Sequence, residues 1–143
     1  MRQKIHNTIG ILIICLCSNF LYSQSSPLII SLNKTDFIDY VYDYTVTNGA
    51  YNGKLPAIVV FDADYCSSCK PMEKHLKELL QEYDGKLVIY KVDLSAEQEL
   101  QKDLAISSLP LLYFFPVKGE PKIALGYLNK NEIREIIKEE LRP

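Results

Sequence analysis

The chain has 143 residues, of which 48% are hydrophobic and 24% are charged, and both fractions are ordinary for one globular domain with a buried core. Its formal net charge of -2 lacks the basic excess that attracts nucleic acid or an anionic membrane surface, so we expect neither as a partner.

Residues 1–23 have the composition of a secretory signal peptide. Arg2 and Lys4 make a basic start, residues 9–17 are apolar, and small and polar residues surround Ser23. The apolar stretch is short for a membrane span, although an uncleaved N-terminal anchor is the alternative. We therefore expect an exported protein, periplasmic or secreted, that is cleaved near Ser23.

Cleavage at that point changes both the charge and the cysteine count. Loss of Arg2 and Lys4 leaves 14 basic against 18 acidic residues, a net charge of -4. Cys66 and Cys69 are then the remaining cysteines, and a single pair is no structural disulfide framework. A disulfide that closes so short a loop adds little stability, so a purely structural role is a poor explanation for this C-x-x-C motif.

The first half of the remaining chain alternates strand and helix patterns. Residues 28–32 predict a strand, and residues 33–35 predict the cap of a helix. Residues 57–61 predict a strand that is buried on both faces. The helix that follows Cys66 carries one apolar stripe, which consists of Met72, Leu76, Leu79, Leu80 and Tyr83.

The second half continues this alternation and closes with a hairpin. Residues 87–93 predict a strand, and residues 95–98 fit a capping box that opens a short helix. Residues 111–115 predict a strong strand, with residues 122–125 as its antiparallel partner. A second capping box, Asn129 to Glu132, opens a last helix whose inward residues are Ile133, Ile136, Ile137 and Leu141.

The predicted order of elements is therefore βαβαβαββα, which places the chain in the α/β class as one domain over residues 28–143. Alternating strands and helices predict a mostly parallel sheet with helices on both faces. The closing hairpin adds an antiparallel strand at the edge.

A C-x-x-C motif follows the predicted central strand. Cys66 and Cys69 stand where an apolar run changes to helical spacing, so we expect Cys66 at a helix N-terminus. Unpaired N–H groups and the helix dipole there favour an anion and lower the pKa of a thiol. A thiolate with a second thiol three residues on is the chemistry of disulfide exchange.

The order of elements and four local motifs resemble those of the thioredoxin family, over roughly residues 28–141. C-x-x-C is only moderately specific, but C-x-x-C with a proline that opens a later strand is much more so. The four motifs are Tyr65-Cys66-Ser67-Ser68-Cys69-Lys70, Lys91-Val92-Asp93, Ser108-Leu109-Pro110 and Gly126.

This resemblance implies the thioredoxin fold, a central mixed sheet flanked by helices, and a thiol-disulfide oxidoreductase that needs no cofactor. It implies that Pro110 is a cis proline facing the active-site disulfide. Such a bond would turn backbone groups outward, where an extended substrate can pair with them. Substrate then docks in a groove between Tyr65, the cysteines and the Leu109-Pro110 segment.

The sequence departs from the family pattern at three places. Tyr65 replaces the usual tryptophan, Ser-Ser replaces Gly-Pro between the cysteines, and Val60 occupies the place of a buried aspartate. That aspartate handles the proton of the second cysteine. Asp62 shares the strand face of Val60, so we expect Asp62 to replace it, with Lys91 nearby. The alternative is that Asp62 is merely a solvated residue at a strand end.

The resemblance also assigns the steps of the exchange. Cys66 attacks a substrate disulfide, and Cys69 then attacks Cys66 and releases the reduced partner. We expect a reductant that serves redox homeostasis outside the cytosol and draws electrons from a thiol relay in the membrane. The reverse steps would make it an oxidant, because direction follows from reduction potentials.

Two other classes of protein compete with this interpretation. A thiolate module for zinc or copper(I) is one, although a structural zinc site needs four ligands and the only histidines are His6 and His75. Copper(I) transfer would not need Pro110. A redox-inert interaction domain on the same fold is the other, and the intact cysteine pair argues against it.

Overall fold

A computed structural model describes residues 28–143, so the predicted signal peptide lies outside the described residues. Five strands and four helices alternate along this part of the chain, and two of the helices continue into a π-helical turn. The elements are β1 (Ile30–Ser31), α1 (Lys34–Asp36, then Phe37–Val41), β2 (Ala57–Asp62), α2 (Cys69–Glu82), β3 (Val88–Asp93), α3 (Gln98–Asp103), β4 (Leu111–Phe115), β5 (Lys122–Leu125) and α4 (Lys130–Ile136, then Ile137–Leu141).

The strands form one mixed sheet in the order β1-β3-β2-β4-β5, as the resemblance implies. β1 and β2 run parallel to β3, whereas β4 runs antiparallel to β2 and β5 antiparallel to β4. The prediction that only the edge strand is antiparallel was therefore wrong. A parallel connection must return the chain to the opposite end of the sheet, over a strand length of about 20 Å. The six residues of α3 span only about 9 Å, which is too short for that return. β4 thus starts at the end of the sheet where β2 and β3 finish.

β2 is buried along its whole length, which confirms the central strand. On one face, Ile58 and Val60 join a cluster with the apolar stripe of α2 and with α4. On the other face, Val59 and Phe61 join a cluster with α1 and α3. The chain that leaves β2 toward the cysteines is therefore held between two packed layers.

Two of the predicted helix caps are confirmed and one is wrong. Asn33 accepts a hydrogen bond from the N–H of Asp36, and Asn129 forms the reciprocal capping box with Glu132. The box at residues 95–98 does not form. The hydroxyl of Ser95 instead accepts from the N–H of Asp64 at 2.9 Å.

The helix after the C-x-x-C begins at Cys69 rather than directly after Cys66. Cys66 lies in the turn that joins β2 to α2, and its N–H donates to the carbonyl of Ala63. The first cysteine therefore precedes the helix by three residues. Within residues 28–143, no helix combines the length and the apolar character needed to cross a bilayer.

Candidate active site

Cys66 and Cys69 form a disulfide at the end of the sheet where β2 stops. Their Cα atoms are 5.4 Å apart, and the N–H of Cys69 donates to the carbonyl of Cys66 at 3.2 Å. Both residues are buried, with 7% of Cys66 and 4% of Cys69 exposed. Cys66 is the slightly more exposed of the two residues.

Pro110 follows a cis peptide bond, as the resemblance implies. It is buried next to the first residue of β4, and Leu111 pairs with Phe61 in β2, the strand that leads to the cysteines. The carbonyl of Pro110 accepts the N–H of Gly126 at 2.8 Å. Pro110 is buried, Leu109 is half-buried, and Ser107 and Ser108 before them are exposed.

A surface groove of about 280 Å³ runs beside the first cysteine. Tyr65 and Leu109 both line it, and 71% of Tyr65 is exposed. Serine and glutamine side chains give the groove a polar floor. The groove is lined by Tyr65, Cys66, Ser67, Ser68, Gln101, Ser107, Ser108 and Leu109.

A smaller cavity of about 170 Å³ touches both cysteines and lies toward β3 and α2. Asp62, Glu73 and Lys91 line it together with Cys69. Lys91 Nζ lies 2.9 Å from Asp62 Oδ2 and 3.0 Å from Glu73 Oε2. Asp62 is buried, with 9% exposed, so it is not a solvated residue at a strand end.

The electrostatics of this cavity differ for the two carboxylates. Burial raises the pKa of Asp62, although Lys91 acts in the opposite direction. The pKa of Glu73 is lowered, first by its hydrogen bond to Lys77 and further by Lys91, which together outweigh burial. For Lys91 itself burial is the largest influence and lowers the pKa, but the two carboxylates outweigh it and the net direction is upward. Relative to ordinary side chains of their types, the pKa of Asp62 is therefore raised and that of Glu73 is lowered.

The structure thus places most of the predicted site residues around two neighbouring spaces. Tyr65 and Leu109 line the groove, Asp62, Cys69 and Lys91 line the cavity, and Cys66 lines both. Pro110 lines neither space. Their chemical roles stay predictions. His75 is half-buried on α2, and its Nε2 lies 3.0 Å from the hydroxyl oxygen of Tyr127.

Glu73 and Ser68 were not singled out from the sequence. Glu73 stands four residues after Cys69, and this spacing puts two residues on one face of a helix, so the signal was present. The hydroxyl of Ser68 lies 3.7 Å from Cys66 Sγ. Nothing in the local pattern distinguishes Ser68 from Ser67 in that respect.

This arrangement supports thiol chemistry. Within the described part of the chain, no three histidine, cysteine or acidic side chains come together in a way that could hold a metal ion. A cysteine pair beside an open groove, with a buried carboxylate and a lysine behind it, can exchange a disulfide with another protein. The fold and the site together define a thioredoxin-like disulfide oxidoreductase.

Comparisons with known proteins agree with this class. The Thioredoxin family model matches residues 30–139, so the chain belongs to the thioredoxin family. It is 35% identical to a thioredoxin of Borreliella burgdorferi over 111 residues, which cover 77% of this chain and 95% of the relative. Thioredoxins act on substrate proteins that contain disulfides.

Chloroplast proteins are also similar. The chain is 38% identical over 91 residues to the thioredoxin-like protein CITRX of Oryza sativa subsp. indica, and these cover 62% of the chain and 48% of that relative. The crystal structure of chloroplastic thioredoxin z superimposes with a TM-score of 0.65 at 21% identity, covering 78% of this chain and 92% of the other. At that identity the superposition concerns the fold alone.

Proposed function

We propose that this protein is exported and reduces disulfides in substrate proteins through Cys66 and Cys69. The observation that carries the proposal is the position of the pair, because the Cys66–Cys69 disulfide borders a groove that Tyr65 and Leu109 line. A polypeptide in that groove would bring its own disulfide to Cys66.

The reaction then takes two exchange steps. The Cys66 thiolate attacks one sulfur of the substrate disulfide, so a mixed disulfide forms and the other substrate sulfur leaves as a thiolate. Cys69 loses its proton and attacks Cys66 Sγ, which closes the Cys66–Cys69 disulfide and releases the second substrate thiolate. Two electrons pass to the substrate, and both substrate thiolates take up protons from solvent.

Asp62 is our candidate for the acceptor of the Cys69 proton. It lies in the cavity that Cys69 also lines, and it is the only buried charged residue within residues 28–143. Burial raises its pKa, which makes its carboxylate a better base than an exposed aspartate. Lys91, 2.9 Å away, holds the carboxylate in place.

The exported location and the source of electrons rest on the N-terminal sequence. A basic start, a short apolar stretch and small residues near Ser23 support cleavage and export. A reductant outside the cytosol has no cytosolic donor at hand, so a thiol relay in the membrane is the class of partner that would reduce Cys66–Cys69 again.

The reduction potential of the cysteine pair tests the direction of the reaction. We expect equilibration with dithiothreitol buffers to give a value near that of thioredoxins, about -270 mV, together with catalysed reduction of insulin. Cys66→Ser should abolish the catalysis. A value near about -120 mV would instead assign the protein to the oxidants.

Two further measurements test the remaining parts of the proposal. Fractionation of the source cells with N-terminal sequencing should recover a chain that begins close to Ser23 outside the cytosol, and a full-length cytosolic protein would refute export. Titration of the reduced protein with zinc and copper(I) should show no stoichiometric binding tight enough to compete with disulfide exchange. Tight binding without insulin reduction would favour a metal-binding module.

A further inference from the structure

Ser68 sits at a helix N-terminus but does not cap the helix. Serine at the position before a helix usually accepts a hydrogen bond from an N–H of the first turn. Ser68 precedes Cys69, the first residue of α2, yet its side chain makes no capping bond. Its backbone is helical, with φ -78° and ψ -15°, whereas a capping serine adopts extended angles. The hydroxyl is therefore available for another partner.

That partner in the structure is the sulfur of the first cysteine. Ser68 Oγ lies 3.7 Å from Cys66 Sγ, within the range for a hydrogen bond to sulfur. Ser68 is half-buried and lines the substrate groove, so its hydroxyl lies where the reacting sulfur meets substrate. Ser67, the adjacent serine, is exposed and makes no hydrogen bond to Cys66 within the described residues.

The start of α2 offers few other donors to that sulfur. A helix leaves its first four N–H groups without intrahelical partners, and here these belong to Ser68, Cys69, Lys70 and Pro71. Proline has no N–H, and the N–H of Cys69 already donates to the carbonyl of Cys66. Cys66 also precedes the helix by three residues. The N–H groups of Ser68 and Lys70 remain, and a side-chain donor near Cys66 Sγ would add to this reduced set.

We propose that the Ser68 hydroxyl donates a hydrogen bond to Cys66 Sγ in the reduced protein and thereby stabilises the attacking thiolate. This inference rests on the proposed function of Cys66 as the sulfur that attacks substrate. A hydrogen bond to an ionised acceptor is stronger than one to a neutral acceptor, so it favours the thiolate over the disulfide sulfur. Ser68 therefore stabilises the reduced pair and makes it less reducing.

Alkylation of the reduced full chain with iodoacetamide tests this role. The rate is followed from pH 4 to 10 and assigned to Cys66 by fragmentation of its peptide, which separates it from the other cysteines. We expect Ser68→Ala to move the midpoint of the profile to higher pH. Below the midpoint the rate should fall about two- to threefold, since a more basic thiolate partly compensates by greater nucleophilicity. Ser67→Ala is the matched control and should leave the profile unchanged.

A second pair of variants separates the hydroxyl from the shape of the side chain. Threonine and valine are nearly isosteric, so Ser68→Thr should retain the wild-type midpoint and Ser68→Val should shift it as alanine does. At pH 7, the equilibrium with glutathione should shift about fivefold toward the disulfide form in Ser68→Ala and Ser68→Val.

The wild-type profile distinguishes the two possible failures. An ordinary thiol midpoint for wild-type Cys66 would overturn the proposed function itself. If wild-type Cys66 has a low midpoint in the pH profile of alkylation, and neither Ser68→Ala nor Ser68→Val changes it, only the role of Ser68 is overturned. Equal shifts in Ser67→Ala and Ser68→Ala would also overturn the role of Ser68, because a serine that does not hydrogen-bond to Cys66 would then have the same effect.

Discussion

Lys91 Nζ lies 2.9 Å from Asp62 Oδ2, so a lysine of β3 holds a carboxylate of the neighbouring β2 close to the disulfide. Lys91 is paired in the sheet with Val60, two residues before Asp62. The same Nζ lies 3.0 Å from Glu73 Oε2 on α2. The family places its buried aspartate where this chain has Val60, which packs in the apolar core. Asp62, our candidate for the role of that aspartate, lies two residues further along the strand, about 7 Å nearer the cysteines.

The first prediction concerns the step in which Cys69 attacks Cys66. Asp62→Asn removes the proposed proton acceptor and keeps the size of the side chain. We expect the mixed disulfide with substrate to accumulate, and its resolution to slow at least tenfold at pH 7, because a positioned base contributes about that much or more. Rapid acid quenching of single turnovers measures this rate.

Asp64→Asn provides the control for that experiment. Asp64 is exposed at the rim of the same cavity, so the change removes an equal charge without touching the buried carboxylate. Resolution should proceed at the wild-type rate. If both variants slow it equally, or if Asp62→Asn leaves the pH dependence of Cys69 reactivity unchanged, Asp62 is not the acceptor.

The second prediction concerns Glu73 and acid stability. Its pKa lies below the ordinary value of 4.5, first because Lys77 donates to it and then because Lys91 does. A lowered pKa stabilises the folded protein above pH 4.5, and this stabilisation disappears as the pH falls through the folded-state value. Glu73→Gln should therefore lower the free energy of unfolding by up to about 1 kcal/mol at pH 7, and by progressively less as the pH falls below 4.5.

Urea unfolding at several pH values measures this difference. Glu120→Gln is the control, since Glu120 is exposed and makes no ion pair within residues 28–143. It should leave the unfolding free energy unchanged at every pH. A loss in Glu73→Gln that is as large at pH 3 as at pH 7 would assign Glu73 a packing role without a charge effect.

Elements with strong local signals were predictable from the sequence. β5 has the predicted bounds, β2 is buried on both faces as expected, and the capping box from Asn129 to Glu132 forms with both of its hydrogen bonds. These features depend on residues a few positions apart. The cysteine pair is visible as a C-x-x-C motif, whereas the cis bond before Pro110 was expected only from the resemblance to the thioredoxin family.

The predictions that failed depend on contacts between distant parts of the chain. Ser95 fits a capping box, but its hydroxyl accepts from Asp64, which lies 31 residues away. Glu97 accepts from the N–H of Lys34 at the start of α1, 63 residues away. The direction of β4 depends on how far α3 carries the chain. No local pattern specifies a tertiary partner of this kind.

The third prediction concerns substrate docking at Tyr65. The ring is 71% exposed and lines the groove beside Cys66. Tyr65→Ala should lower kcat/KM for insulin at least fivefold, which corresponds to about 1 kcal/mol, because an exposed aromatic anchor contributes on that scale at interfaces. The rate with a small aromatic disulfide should stay within twofold, since such a reagent reaches Cys66 without filling the groove.

Tyr40→Ala serves as the control for Tyr65. Tyr40 is 63% exposed in the π-helical turn of α1 and lines neither the groove nor the cavity. Insulin reduction should be unaffected. Equal losses with insulin and the small disulfide in Tyr65→Ala would point to altered cysteine chemistry and against a docking role.

The last prediction concerns Gly126, whose substitution should affect both the stability of the fold and the position of Pro110. Gly126 has φ +93° and its N–H donates to the carbonyl of Pro110 at 2.8 Å. Gly85 has φ +74° and lies three residues after the last residue of α2, 41 residues before Gly126. An added Cβ meets no atom within 4 Å at either glycine, so alanine introduces backbone strain without a clash. Both Gly126→Ala and Gly85→Ala should therefore lower the unfolding free energy by about 1–2 kcal/mol in urea. Only Gly126→Ala should also reduce kcat/KM for insulin, because relief of its strain displaces Pro110 and with it Leu109, which lines the groove together with Cys66. Activity lost equally in both variants would show that reduced stability alone explains the effect, and full activity in Gly126→Ala would show that its hydrogen bond does not position Pro110.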